Sequence, residues 1–177
     1  MPRLTRFRGV DIRVAVPQDL QEIIRIERAS FEHEAYSKAL LDAFLQEDAF
    51  LTLVAEDDAI IAYATMYHEK KEGGVRVVSI AVLPEERNQG IAKRLMRWIE
   101  RAALEKGARR MSLEVGATNV AAINLYLKDG FVIKGTIPDY YGKGKDALYM
   151  EKPLRGAAKP NGDRTSDTAS LEGLRRT

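Results

Sequence analysis

The chain has 177 residues, 45% hydrophobic and 31% charged, with a net charge of +2, a length and composition suited to one globular domain with a single substantial core. It contains no cysteine and two histidines, His33 and His68, which excludes disulfides, thiolate zinc sites and a cysteine nucleophile and leaves too few imidazoles for a histidine-rich metal site. No apolar run is long enough to span a bilayer and the basic Met1–Arg6 segment leads into no signal-peptide core, so a cytoplasmic protein with no membrane association is expected.

Val10–Val16 has the alternation of a strand, and Pro17 suits the first turn of the helix that follows. Leu20, Ile23, Ile24 and Glu27 fall at helical spacing, with Ile26 and Ala29 beside that stripe. After a loop through Phe31–Tyr36, Ser37 is placed to cap a short helix carrying Leu40, Leu41, Phe44 and Leu45. Phe50–Glu56 and Ile60–Glu69 read as antiparallel strands around an Asp57-Asp58 turn. A second turn over Lys70–Gly74 leads to Val75–Leu83, the third strand of the meander.

Gly90–Lys106 reads as a long amphipathic helix with Ile91, Leu95, Ile99, Ala102 and Ala103 facing inward, stopped by Gly107. Arg109–Val115 is a strand and Asn119–Asp129 a helix stopped by Gly130. Phe131–Ile137 and Asp146–Glu151 are closing strands around a loop of Gly, Lys and Tyr. The expected order is therefore β-α-α-β-β-β-α-β-α-β-β. It describes an α/β fold with a central, mostly antiparallel twisted sheet, helices on both faces and a parallel pair across the long helix. Residues 1–154 form the domain, and residues 155–177, poor in apolar side chains, are expected to be a disordered polar tail. Five basic and three acidic residues in that tail account for the whole net charge. With no basic cluster in the domain, no direct nucleic-acid binding is expected.

The segment richest in chemistry joins the third meander strand to the long helix. It runs from Ile80-Ala81-Val82 to Arg87-Asn88-Gln89-Gly90-Ile91-Ala92-Lys93. Small residues at 90 and 92 let backbone N–H groups approach a ligand where a helix begins. The unpaired amides and partial positive charge there suit a phosphate over residues 88–93. The third glycine of a dinucleotide fingerprint is missing, and neither this loop nor Gly142-Lys143-Gly144-Lys145 has the spacing of a P-loop.

Arg87-x-x-Gly90-x-Ala92, preceded by Ile80-Ala81-Val82, resembles the acetyl-CoA motif Arg/Gln-x-x-Gly-x-Gly/Ala of the GNAT family of N-acetyltransferases. Leu113-Glu114-Val115, followed by Thr118-Asn119-x-x-Ala122-x-x-Leu125-Tyr126-x-x-x-Gly130-Phe131, is similar to the N-terminal protein acetyltransferases of that family. So is Asp139-Tyr140-Tyr141 with Lys145-Asp146-Ala147-x-x-Met150, which looks like their Tyr-Tyr…Glu-Asp-Ala-x-x-Met ending. The relatives are the bacterial RimI-type ribosomal-protein-alanine acetyltransferases and the archaeal and eukaryotic N-alpha-acetyltransferase catalytic subunits.

The resemblance covers residues 10–154 and implies the GNAT acyl-CoA N-acyltransferase fold, with acetyl-CoA as co-substrate and no metal. The implied reaction is direct transfer of acetyl, in a ternary complex, to the α-amine of protein N-termini, nascent chains or ribosomal proteins among them, by a monomer or weak homo-oligomer. It further implies pyrophosphate contacts from Arg87, Asn88, Gln89, Gly90, Ile91, Ala92 and Lys93, and pantetheine pairing along Ile80, Ala81 and Val82. Asn119 and Tyr126 would be further cofactor contacts, Glu114 the general base and Tyr126 the general acid. The residue types suit these roles, since a carboxylate takes the amine proton directly or through water and a phenol can protonate the departing thiolate.

Phe31-Glu32-His33-Glu34-Ala35-Tyr36 departs from the bacterial Phe-x-x-Pro-Trp form and is closer to the Leu-Pro-Glu-Asn-Tyr segment of the archaeal and eukaryotic subunits. That likeness implies a substrate mouth of Phe31, Glu34 and Tyr36, with Tyr140 and Tyr141 opposite, and makes Glu34 and Glu114 competing or cooperating bases. Gly116 stands where many bacterial relatives have arginine, which weakens the carry-over of a ribosomal-protein target. At about pH 7.4 roughly a quarter of α-amines but only about one lysine in a thousand are neutral, which favours an α-amine for modest base assistance. Other readings are a GNAT acting on a small-molecule amine or a protein lysine, and a non-catalytic acetyl-CoA-binding regulatory module, which retention of both Glu114 and Tyr126 disfavours. For single residues the structural alternatives are core packing for Tyr126 and a solvated or ion-paired carboxylate for Glu114.

Overall fold

The computed structural model describes residues 9–155, so the tail expected over 155–177 lies, apart from Arg155, outside the described residues. The elements follow the expected order: β1 (Asp11–Val14), α1 (Leu20–Phe31), α2 (Lys38–Gln46), β2 (Phe50–Asp57), β3 (Ala59–Glu69), β4 (Gly74–Val82), α3 (Ile91–Glu105), β5 (Arg110–Gly116), α4 (Val120–Lys128), β6 (Val132–Ile137) and β7 (Ala147–Pro153). The strands form one seven-stranded sheet in the order β1-β2-β3-β4-β5-β7-β6. All neighbours are antiparallel except β4 and β5, the pair that a helical crossover makes parallel. No helix among the described residues is long and apolar enough to cross a membrane.

Sheet alternation decides what each helix covers. Tyr63, Thr65 and Tyr67 project from one face of β3, and Ala62, Ala64 and Met66 from the other. Tyr63 hydrogen-bonds Glu27 of α1 and Thr65 bonds Thr52, whose hydroxyl reaches the Phe44 carbonyl of α2. That face therefore belongs to α1 and α2. The opposite face takes α3, whose buried Ile91, Leu95, Met96, Ile99, Ala102 and Ala103 form a single stripe. Leu95 and Ile99 are each 0% exposed, a burial that contributes about 2 kcal/mol per side chain. α2 starts where expected, with Ser37 Oγ accepting the Leu40 N–H at 3.2 Å.

Two irregularities position the site, and neither is legible in the apolar pattern. Thr65 pairs with Ser79 but Met66 with Val77, so Val78 is an extra residue in β4, a β-bulge that bends and twists the strand. The β4–β5 ladder then joins only Gly74–Arg76 to Arg110–Ser112, and the two strands part beyond it. β5 stays paired on its other side with β7 through Gly116.

At the opposite edge, a charged cluster fastens β1 to the chain entering α1. Asp19, 6% exposed, accepts both guanidinium ends of Arg13 at 2.6 and 3.0 Å and the Val16 N–H at 2.8 Å. Glu56 of β2 accepts Arg13 Nε at 2.9 Å. Removing one carboxylate leaves a desolvated cation with half its partners. Asp19→Ala should lower the unfolding free energy by about 3 kcal/mol in urea titration; a loss below about 1 kcal/mol would show that Glu56 alone satisfies Arg13.

Candidate active site

Where β4 leaves β5, no strand among the described residues pairs with its backbone on that side. Leu83 N–H donates to Ile61 of β3 at 2.9 Å. Because N–H and C=O alternate sides along a strand, Ile80 and Val82 turn theirs toward the gap. Two side chains already use this edge: Tyr36 Oη donates to the Val78 carbonyl at 3.3 Å and Arg87 Nε to the Val82 carbonyl at 3.1 Å. The backbone of Ile80 and the N–H of Val82 remain for a ligand.

The chain then passes a single helical turn at Pro84–Glu86 and enters α3 through two left-handed residues, Asn88 at φ 61° and Gly90 at φ 77°. Gly90 is the N-cap and offers no side chain to the helix amides. The first turn of α3 contains no acidic residue and places Lys93 against the positive end of the helix dipole. Amides, dipole and cation together make a strongly anion-attracting corner.

Strand edge and helix start open into one cavity of about 810 Å³. Its wall includes Ile80, Ala81, Val82, Arg87, Asn88, Gly90, Ile91, Ala92 and Lys93, then Asn119 and Tyr126 of α4, and Phe31 and Glu34 from the loop after α1. Of the expected cofactor residues only Gln89 is off the wall; its amide donates to Glu86 at 3.1 Å. Asn119 has a structural duty as the N-cap of α4, with Oδ1 accepting Ala122 N–H at 3.2 Å. Tyr126 is 6% exposed and meets Phe131 edge-on at 5.8 Å. Burial pushes its phenol well above the usual range, with Tyr141 adding to the rise.

Glu114, Tyr36, Tyr140 and Tyr141 form a second group, outside that cavity wall. Glu114 Oε2 accepts Arg76 Nε at 2.9 Å, and Tyr141 Oη reaches the Glu114 carbonyl at 3.4 Å. Tyr140 Oη accepts Arg76 at 2.8 Å and its ring stands edge-on to Tyr141 at 4.8 Å. Tyr36 completes the group from the α1–α2 side; burial, with Tyr140 next, raises its phenol, as burial does for Tyr141. The two groups meet at Glu34, whose Oε1 accepts Lys145 Nζ at 2.7 Å, tying the loop after α1 to the loop between β6 and β7. Among the described residues no cluster of three or more His, Asp or Glu is arranged to hold a metal ion.

Three residues of the site were not among those expected from the sequence. Arg76 is one, and its signal was a lone cation in the apolar strand Gly74–Val82. Lys145 is the second, a basic residue in the Gly/Lys/Tyr loop between the closing strands. Glu27 is the third: it lies on the helical stripe of α1, yet it is 1% exposed and bonded to Tyr36 and Tyr63.

The pattern of the acetyltransferase (GNAT) family matches residues 18–131. The N-alpha-acetyltransferase of Sulfurisphaera tokodaii is 34% identical over 155 residues, covering 81% of this chain and 92% of its own. Among solved structures, Ard1 from Thermoplasma volcanium aligns with a TM-score of 0.76 at 26% identity, covering 83% of this chain and 99% of that one. The ribosomal-protein-S18-alanine N-acetyltransferase from Escherichia coli aligns with a TM-score of 0.76 at 23% identity over 87% and 99% of the two chains, a likeness of fold. The motif on the strand edge and helix start, the match across most of the domain and a relative alike along most of both chains lead to one assignment: the chain belongs to the acetyltransferase (GNAT) family.

Proposed function

We propose that this chain transfers acetyl from acetyl-CoA to the α-amine of protein N-termini. The observation that carries the reading is the division of the site. An amide-lined cavity begins on the gap side of β4, and a tyrosine-lined mouth holding Glu114 lies beside it, with Glu34 and Lys145 at their junction. Relatives called N-alpha-acetyltransferases, such as that of Sulfurisphaera tokodaii, support the choice of amine.

In this reading the amides of residues 88–93 and Lys93 hold the pyrophosphate, and Ile80 and Val82 pair with the pantetheine arm as an added strand. Acetyl-CoA supplies the thioester: the acceptor nitrogen bonds to its carbonyl carbon, the C–S bond breaks, the amine loses a proton and the sulfur gains one. Backbone N–H groups of β4 at the gap meet the charge that develops on the carbonyl oxygen. Glu114 serves as base through Oε1, because Arg76 occupies Oε2 and so also fixes the carboxylate's orientation. Glu34 is the second candidate, and its use as a base requires that it leave Lys145. Burial keeps the Tyr126 phenol protonated, so its role is to donate a hydrogen bond to the departing sulfur, the proton balance being closed by the one the amine releases. Tyr36, Tyr140 and Tyr141 form the walls along which the first residues of an acceptor peptide enter.

A CoA-release assay with peptides beginning Met, Ser, Ala or Met-Leu should show turnover of free N-termini and not of the same peptides with blocked N-termini. Equal turnover of blocked, lysine-containing peptides would overturn the N-terminal reading. Glu114→Gln and Tyr126→Phe should each lower kcat by about 10²-fold with acetyl-CoA binding nearly unchanged. If Glu114→Gln leaves kcat intact while Glu34→Gln lowers it, the base is Glu34. Gly90→Val forces a β-branched residue to φ 77°, which costs on the order of 1–2 kcal/mol. It should weaken CoA binding in calorimetric titration, and unchanged affinity would remove the α3 N-terminus from the donor site.

A further inference from the structure

One titratable group near the mouth has no part in that mechanism. Glu27 lies on α1 with 1% exposure, and its partners are neutral. Oε1 accepts the backbone N–H of Tyr36 at 2.9 Å, and Oε2 accepts the hydroxyl of Tyr63, itself 0% exposed. Ser79 Oγ lies within hydrogen-bond distance of Tyr63 Oη at 2.9 Å and also hydrogen-bonds Glu27. A carboxylate taken out of water without a counter-ion is costly and persists where several donors replace the water.

These bonds close a ring. Tyr36 leads through its amide to Glu27, then to Tyr63 and Ser79; Ser79 follows Val78, the extra residue of the β4 bulge, and the Val78 carbonyl accepts the Tyr36 hydroxyl at 3.3 Å. The ring fastens one end of loop 32–36 to β4 where β4 leaves β5. The loop's other end starts under strain, with Glu32 at φ 47°, a conformation that surrounding contacts must hold in place. Glu34 lies between the strained end and the fastened one.

We propose that Glu27 is a positioning residue for the acceptor site: its buried carboxylate locks loop 32–36 onto the β4 bulge and thereby sets Glu34 and Tyr36 at the mouth. The proposal rests on the reading of that mouth as the acceptor entrance. It assigns Glu27 no proton transfer and no contact with the donor. Raising of the Glu27 carboxyl by burial accords with its uncharged surroundings.

The test compares wild type with E27L, E27Q and Y63F, by hydrogen exchange at the Tyr36 amide and by steady-state kinetics with the amine that the wild type acetylates. E27L deletes the acceptor for the Tyr36 amide. E27Q keeps an oxygen for that amide and can donate its NH₂ to Tyr63. In E27L, Tyr36 exchange should speed up by about tenfold or more and acceptor KM should rise about tenfold, with acetyl-CoA KM within about twofold of wild type. E27Q should restore both readouts to within about threefold, and Y63F, which preserves the Tyr36 bond but frees one carboxylate oxygen, should fall between them. Unchanged Tyr36 exchange in both E27L and Y63F overturns the proposal, as does equal loss for donor and acceptor that E27Q fails to restore. If E27L does not fold, Y63F decides alone by the same two readouts. The exchange measurement needs no acceptor, so a wrong choice of amine would show as inactive wild type on peptides while the ring's role is still decided.

Discussion

A continuous parallel ladder between β4 and β5 would occupy the backbone of Ile80 and Val82 and seal the sheet. Instead the ladder ends at Arg76 and Ser112, two residues before the extra residue Val78 turns β4 aside. The unpaired edge that results is costly in a sheet interior unless something pairs with it. Tyr36 and Arg87 take the carbonyls at its two ends, and the middle is left for a ligand with amides of its own. The rest of the site is arranged around that gap: α3 begins at its far end, α4 lines its wall, and the loops after α1 and before β7 meet across its mouth.

The electrostatics differ across the site in a way that suits two different ligands. The α3 end offers amides, a helix dipole and Lys93, with no acidic residue in the first turn, and so invites an anion. At the mouth Glu114 and Glu34 each have a cation from another element, Arg76 for Glu114 and Lys145 for Glu34. The first pair is largely enclosed, with the Glu114 side chain 12% exposed; the second is open, at 60% for Lys145 and 39% for Glu34. An exposed pair contributes at most about 1 kcal/mol, so the Lys145–Glu34 pair separates at little cost. Beneath both, Glu27 has no cation among the described residues and depends on hydroxyls and an amide, which ties it to the shape of the loop instead of to its charge.

Most of the fold was legible because it rests on local signals. The helical stripe of Ile91, Leu95 and Ile99, the glycine stops at 107 and 130 and the Ser37 cap each follow from residue type and spacing. The cavity wall along β4 and the start of α3 was legible for the same reason: Arg87–Ala92 is contiguous, and the anion attraction of a helix start is a backbone property. The residues of the tyrosine-lined mouth could be named, but not the contacts that assemble it, because those join residues far apart in sequence. Nothing in Gly74–Val82 shows that Arg76 meets Glu114, 38 residues on. Nor does anything in loop 32–36 show that Glu34 meets Lys145, 111 residues on. The bulge at Val78 leaves the apolar pattern of the strand intact, and Glu27 is indistinguishable by spacing from a residue at the edge of an amphipathic stripe.

The open edge of β4 can be tested as the donor site by amide hydrogen exchange, resolved residue by residue with and without CoA. If the gap holds the donor, CoA should protect the amides of Ile80 and Val82 and those of residues 88–93, while leaving Ala81 and Leu83, already turned toward β3, unchanged. Protection confined to other parts of the chain, or none at saturating CoA, would contradict that assignment.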